Sequence, residues 1–186
     1  MEMRTRRITA FIIVLTTLFS VASWGAVEAG SSYFTKVNFW YENPLKMPST
    51  NYHVGSILPI GTKVDVLKIT DKLIVFRDQK GIVYNIQYIA KYSGPSQKDY
   101  LDACFSKEDV LKSKIYKNLS KEEKANITAG TIAEGMSKTA VLMAYGNPPT
   151  HKTPSTEKSP WTYWQNRFRT MVVTFGAEDT VTLIKR

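Results

Sequence analysis

Gly135-Met136-Ser137-Lys138-Thr139-Ala140-Val141-Leu142-Met143-Ala144-Tyr145-Gly146-Asn147-Pro148-Pro149 carries both the start and the stop signal of a short helix. Ser137 can accept a hydrogen bond from a free N–H of the first helical turn, so it reads as an N-cap. Met136 and Val141 flank that cap as a hydrophobic staple. Val141, Leu142 and Tyr145 supply an apolar stripe. Gly146 is placed as the left-handed stop, and Pro148-Pro149 forbids continuation. The stretch predicts a helix of about two turns.

Outward from this helix the pattern extends in both directions. Upstream, Ser120-Lys121-Glu122-Glu123 is a capping box that starts a helix running towards Ala133. Further upstream, Ser106 with the pair Phe105 and Val110 predicts another helix start. Downstream, Thr150 to Pro160 is polar and Pro-containing, hence a loop. Three strands then close the chain, Trp161 to Gln165, Arg167 to Phe175 and Thr180 to Ile184, with a turn at Gly176-Ala177-Glu178-Asp179. Helices before a three-stranded antiparallel sheet make an α+β layer, in which the helices cover one face of the sheet and the other stays free.

The segment Tyr33 to Tyr92 reads differently. Tyr33, Thr35, Val37, Phe39 and Tyr41 alternate with Phe34, Lys36, Asn38 and Trp40, which predicts a strand ended by Asn43-Pro44. Val64, Val66 and Ile69 mark a second strand, Leu73 to Phe76 a third and Ile82 to Tyr88 a fourth, the last two joined by Asp78-Gln79-Lys80-Gly81. Short strands at close spacing predict a small β-barrel. The composition shifts at Ser93-Gly94-Pro95-Ser96, so the expected division is 30–95 for the barrel and 96–186 for the helix–helix–sheet layer.

Ahead of both, the sequence predicts a cleavable secretory signal in preference to a membrane anchor of about 20 residues. Arg4, Arg6 and Arg7 precede an apolar run from Ile8 to Val21, and Val27-Glu28-Ala29 places small residues where a signal peptidase reads. Residues 1–29 are therefore expected to be removed after Ala29, leaving a periplasmic or secreted protein. The chain carries a formal net charge of +9. Three arginines and two glutamates fall in the removed segment, so +8 remains. A basic protein in that compartment points to an envelope protein or an anionic envelope component as partner and away from nucleic acid. Cys104 is the sole cysteine, which excludes an internal disulfide. With Gly30 rather than cysteine after the cleavage position, no lipid anchor is expected.

Ile132-Ala133-Glu134-Gly135-Met136-Ser137-Lys138, then Val141, Gly146-Asn147-Pro148, Trp161-Thr162-Tyr163-Trp164 and Val172-Val173-Thr174-Phe175 together resemble the small-protein-A (BamE) family. The resemblance spans roughly residues 120–186. It implies a non-enzymatic role in outer-membrane assembly, although this chain has no lipobox cysteine and carries an added N-terminal segment. Gly55-Ser56-Ile57-Leu58-Pro59-Ile60-Gly61-Thr62-Lys63-Val64-Asp65-Val66 resembles a bacterial Src-homology-3-type barrel, a module that often binds cell-wall peptides. The usual closing Trp-Val is replaced by Ile82-Val83-Tyr84.

The patterns that carry catalysis are missing from the sequence. His53 and His151 each stand in a loop with no Cys or Glu at ligand spacing, whereas a zinc site needs three or four convergent ligands. Cys104 has no nucleophile signature around it and reads as a small buried hydrophobe on a helix. Neither a phosphate loop nor a nucleophile elbow occurs. The expectation is a protein without catalytic residues, metal or cofactor, working through a surface. Trp164, Arg167 and Arg169 are the candidate contact residues, because Trp and Arg dominate binding hot spots. If Trp161 and Tyr163 face the helices, Trp164 faces away, and Arg167 and Arg169 share a face by period two. Tyr163 and Phe168 are expected in the core. Two other functions fit the same reading, a cell-wall (peptidoglycan) ligand binder acting through the barrel and an inhibitor of a secreted enzyme.

Overall fold

The computed structural model describes residues 26–186. The expected signal sequence falls almost entirely outside them. Among the described residues no helix is long and apolar enough to cross a membrane. The architecture is α+β: a curled mixed sheet followed by helices and a separate three-stranded antiparallel sheet.

The first half begins with β1 (Ser31–Thr35), β2 (Phe39–Tyr41), β3 (Met47–Pro48), β4 (Ser56–Leu58), β5 (Lys63–Thr70), β6 (Leu73–Asp78) and β7 (Val83–Gln87). The inward row Tyr33, Thr35, Val37 and Phe39 is buried as the alternation requires. The expected single strand is nevertheless split in two, because Asn38 is buried as well and its backbone leaves the ladder, its N–H donating to Met143 O instead. With a later strand, β8 (Phe105–Ser106), at one edge, the sheet order is β3-β7-β6-β5-β1-β8, with β3 parallel to β7 and the remaining pairs antiparallel. A bulge between Val66 and Lys68 bends β5.

After the turn at Ser93–Ser96 come α1 (Gln97–Cys104) and β8 (Phe105–Ser106). No helix starts at Ser106. Phe105 pairs with Thr35 instead, and its ring stacks on Phe39 at 5.7 Å and meets Phe76 edge-on at 5.4 Å. Aromatic burial in the first core thus draws this segment into the sheet. Tyr100, Leu101, Cys104 and Phe105 all join the first hydrophobic cluster, so that cluster runs past the composition boundary.

The second half contains α2 (Lys114–Asn118), α3 (Lys121–Ala129), α4 (Lys138–Tyr145), β9 (Trp161–Trp164), β10 (Thr170–Phe175) and β11 (Val181–Lys185). The capping box at Ser120 forms with both reciprocal bonds, and α3 ends at left-handed Gly130 (φ 63°) rather than nearer Ala133. A Cβ on Gly130 would lie 2.5 Å from the Trp40 ring, so the glycine also permits close packing. Glu123 does more than close its own box. One carboxylate oxygen accepts from Ser120 N at 2.9 Å, and the other accepts from Ser137 N at 3.0 Å and Ser137 Oγ at 2.6 Å. A single anion therefore serves the N-termini of α3 and α4, where the helix dipoles favour it. Burial pushes its pKa up, but the bonds from Ser137 and Ser120 outweigh burial and hold the group below its ordinary value.

The three-stranded sheet runs β11-β10-β9. Trp161, Tyr163, Met171, Val173, Phe175 and Val181 are buried with α3 and α4 in a second cluster. Expected strand Arg167–Phe175 is shorter than read: β10 begins at Thr170. Asn166 Oδ1 accepts from Phe168 N at 2.8 Å and Arg169 N at 2.9 Å, an Asx turn that folds Gln165–Arg169 into a hairpin tip. Arg167 and Arg169 are therefore turn residues, and the period-two argument does not apply to them.

Two expectations follow from this packing. Val27 is 8% exposed in the first cluster, and Tyr33 Oη accepts from Glu28 N at 2.9 Å. A chain that starts at Gly30 should therefore be about 2 kcal/mol less stable to denaturant than one that starts at Ala26; equal midpoints would show that Ala26–Ala29 add nothing. Gly146 has φ 76° and ψ −173°, a region held almost only by glycine. Gly146→Val should destabilise by about 2 kcal/mol or more in thermal melts.

Candidate functional site

Trp164 ends β9 on the face of the sheet opposite the helices. The register sets Thr170 beside it, then Thr162, Val172 and Lys185 in one row and Thr174 with Leu183 in the next. Its ring is half-buried. Lys152 Nζ lies 5.9 Å from the ring centroid, and the His151 ring lies 6.2 Å away with the planes 18° apart.

The hairpin tip projects beside it. Arg167, Phe168 and Arg169 are all exposed, and Phe168, expected in the core, is 82% exposed. Arg167 Cζ sits 5.2 Å from the centroid of the Phe168 ring, a cation–π contact. The antiparallel register brings the C-terminal end of β11, with Lys185 and Arg186, to this same end of the sheet. Glu178 and Asp179 lie at the opposite end, in the β10–β11 turn, where Asp179 pairs with Lys138 at 2.7 Å. The sheet is thus electrically polarised along its strands. Among the described residues, none of Lys91, Lys152, Arg167, Arg169, Lys185 and Arg186 enters an ion pair.

Behind this surface the first half grips the second through His53, whose ring is enclosed by Trp40, Tyr145 and Tyr163, with Tyr145 stacked at 3.7 Å. Nδ1 lies 2.9 Å from Trp164 O and Nε2 lies 3.3 Å from Tyr145 O. A neutral imidazole carries one N–H, and the shorter contact assigns it to Nδ1, donating to Trp164 O. Desolvation lowers the pKa to about 4, against a raising effect of the two carbonyls. His53 thereby ties the backbone at Trp164 to the loop after β3. No loop signal in the sequence marks it; only Tyr145 and Trp164, distant in the chain, reveal the role.

The other sequence candidates are structural. Cys104 is buried, and desolvation pushes its thiol up to about 12, so it stays protonated and inert as a nucleophile. It lines a cavity of about 250 Å³ between the halves, together with Val37, Tyr92, Tyr100, Pro148 and Glu157. Several polar side chains of that cavity are already engaged: Ser49 with Ser93, and Thr153 Oγ1 with Thr162 N. Cationic and aromatic side chains gather at the hairpin end instead. Trp164 lies on the open face as its strand register predicts, whereas Arg167 and Arg169, expected on a strand face, and Phe168, expected in the core, all stand on the turn that Asn166 forms. No family model, curated protein or solved structure matches the chain.

The His53 arrangement sets a pH dependence. The imidazole of the unfolded chain takes up a proton near 6.5, whereas in the fold it stays neutral down to about 4. The unfolded state binds more protons in that window, so stability falls as pH drops through it, in total by on the order of 3 kcal/mol. Denaturation midpoints measured from pH 7 to pH 4 should show this slope, and His53→Gln should flatten it; an unchanged slope in the variant would place the titration elsewhere.

Proposed function

We propose that this protein is a non-catalytic binding or assembly module of the cell envelope, which engages a protein or an anionic envelope component through the hairpin end of its second sheet. The observation that carries the reading is Phe168, 82% exposed and flanked by two exposed arginines on a turn held by Asn166. Aromatic and arginine side chains are the types enriched in interface hot spots. Trp164, Arg167 and Arg169 form the contact, with Phe168 as the apolar anchor. The open face of the sheet continues the surface through Val172, Leu183 and Lys185.

The Arg4–Ala29 signal pattern directs the chain out of the cytoplasm, where a basic surface meets anionic polymers and acidic proteins. The order of cap, stop and strands in 120–186 suits an assembly module of the small-protein-A type, with the curled first sheet as a Src-homology-3-type barrel.

The double substitution Arg167→Glu with Arg169→Glu tests the surface. Capture of cross-linked partners from envelope extract should fall about tenfold or more, because like charges now face the partner, while the melting temperature stays unchanged. Intact capture, or a large loss of stability, would show that these arginines are structural.

A further inference from the structure

Beside the hairpin tip a row of rings crosses from the first half of the molecule to the second. Tyr92 follows the first sheet, His151 stands in the loop after α4, and Trp164 ends β9. The Tyr92 and His151 centroids are 4.5 Å apart, and those of His151 and Trp164 are 6.2 Å apart. Lys91 Nζ lies 5.6 Å from the Tyr92 ring and Lys152 Nζ 5.9 Å from the Trp164 ring.

The row is held by backbone rather than by chance contact. Thr150 N donates to Tyr92 O at 3.2 Å, Thr150 Oγ1 donates to Lys91 O at 3.4 Å, and Thr162 N donates to Thr153 Oγ1 at 2.9 Å. These bonds pin the loop that carries His151 and Lys152 between the two halves. Neither lysine is in an ion pair among the described residues. Burial and then the charges of Lys152 and Lys91 lower the pKa of His151, so the field along the row is positive.

Rings edged by unpaired ammonium groups suit a ligand with apolar ring faces and anionic substituents. A pyranose presents C–H groups on its faces, which pack on the negative face of an aromatic ring. Carboxylates spaced along such a chain can pair with the ammonium groups at the two ends of the row. A single-stranded nucleic acid, the other polymer that combines charge with rings, stacks its bases on open aromatic platforms. Here the Tyr92 and His151 planes are 51° apart, so the row is not the set of parallel platforms on which successive bases stack. Building on the contact surface proposed above, we propose that the Tyr92–His151–Trp164 row binds an anionic oligosaccharide, with Lys91 and Lys152 pairing its carboxylates and Arg167 continuing the track towards the hairpin tip.

The test is a calorimetric titration of the secreted protein with oligogalacturonate hexamer, maltohexaose and a decameric oligodeoxynucleotide. Oligogalacturonate should bind saturably and more weakly as salt rises. The double variant Lys91→Glu with Lys152→Glu should lose about tenfold or more in affinity at an unchanged melting temperature. Trp164→Phe should bind with the same stoichiometry and reduced affinity. Absent oligogalacturonate binding, equal binding of maltohexaose, tighter binding of the oligonucleotide, or full affinity in the lysine variant would each overturn the assignment. Envelope capture that depends on Arg167 and Arg169 without any oligogalacturonate binding would sink the glycan and leave the contact surface standing.

Discussion

Four carbonyl groups at the C-terminal end of α4 govern how the two halves meet. A helix leaves its last four carbonyls without partners inside the helix, and a buried end must find donors elsewhere. Here Gly146 N donates to Leu142 O at 2.7 Å and Asn38 N to Met143 O at 3.1 Å. Asn38 Nδ2 reaches Ala144 O at 3.2 Å, and Asn51 Nδ2 reaches Tyr145 O at 3.0 Å. Three of the four donors come from the first half. The remaining atoms of the two asparagines are also engaged: Asn38 Oδ1 accepts from Ile60 N, Asn38 Nδ2 also donates to Ile127 O, and Asn51 Oδ1 accepts from Trp40 N. Buried amides satisfied this fully specify one docking geometry, since any slip leaves several polar groups without partners.

That constraint reaches the surface. With α4 clamped at its C-terminus by Asn38 and Asn51 and at its N-terminus by Glu123, the sheet beneath it has little freedom. Tyr163 Oη donates to Gly146 O at 3.0 Å, which carries the clamp into β9. One residue further, Trp164 O accepts a hydrogen bond from His53 Nδ1, and the Trp164 side chain turns to the opposite face. The exposed arginines of the hairpin and the half-buried Trp164 ring thus stand on a sheet tied by hydrogen bonds to the end of α4 and to the first half of the chain.

Charge distribution completes the picture. The hairpin end of the second sheet collects Arg167, Arg169, Lys185 and Arg186, while Glu178 and Asp179 occupy the other end. Such separation gives an approaching anion a preferred orientation and a faster encounter than net charge alone would. The same end meets the Tyr92–His151–Trp164 row, so electrostatic attraction and ring surface coincide.

Local rules carried much of this in the sequence itself. Ser137 and Gly146 bound α4 because capping and positive φ are properties of single residues, and Ser120 with Glu123 marks α3 for the same reason. The alternation through Tyr33, Thr35, Val37 and Phe39 was legible because strand burial has period two, and Trp161 against Trp164 follows from that period. Tertiary structure decided the rest. Phe105 joined a strand instead of starting a helix because Phe39 and Phe76 offered it burial. Phe168 stands outside the core because the Asn166 side chain closes a turn where propensity favours a strand. Asn38, Asn51 and His53 look like ordinary polar residues of strands and loops until the end of α4, about a hundred residues away in the chain, supplies the carbonyls they serve. The grouping of Lys91, His151 and Trp164 is of the same kind: hydrogen bonds across the seam, and not spacing along the chain, bring those side chains together.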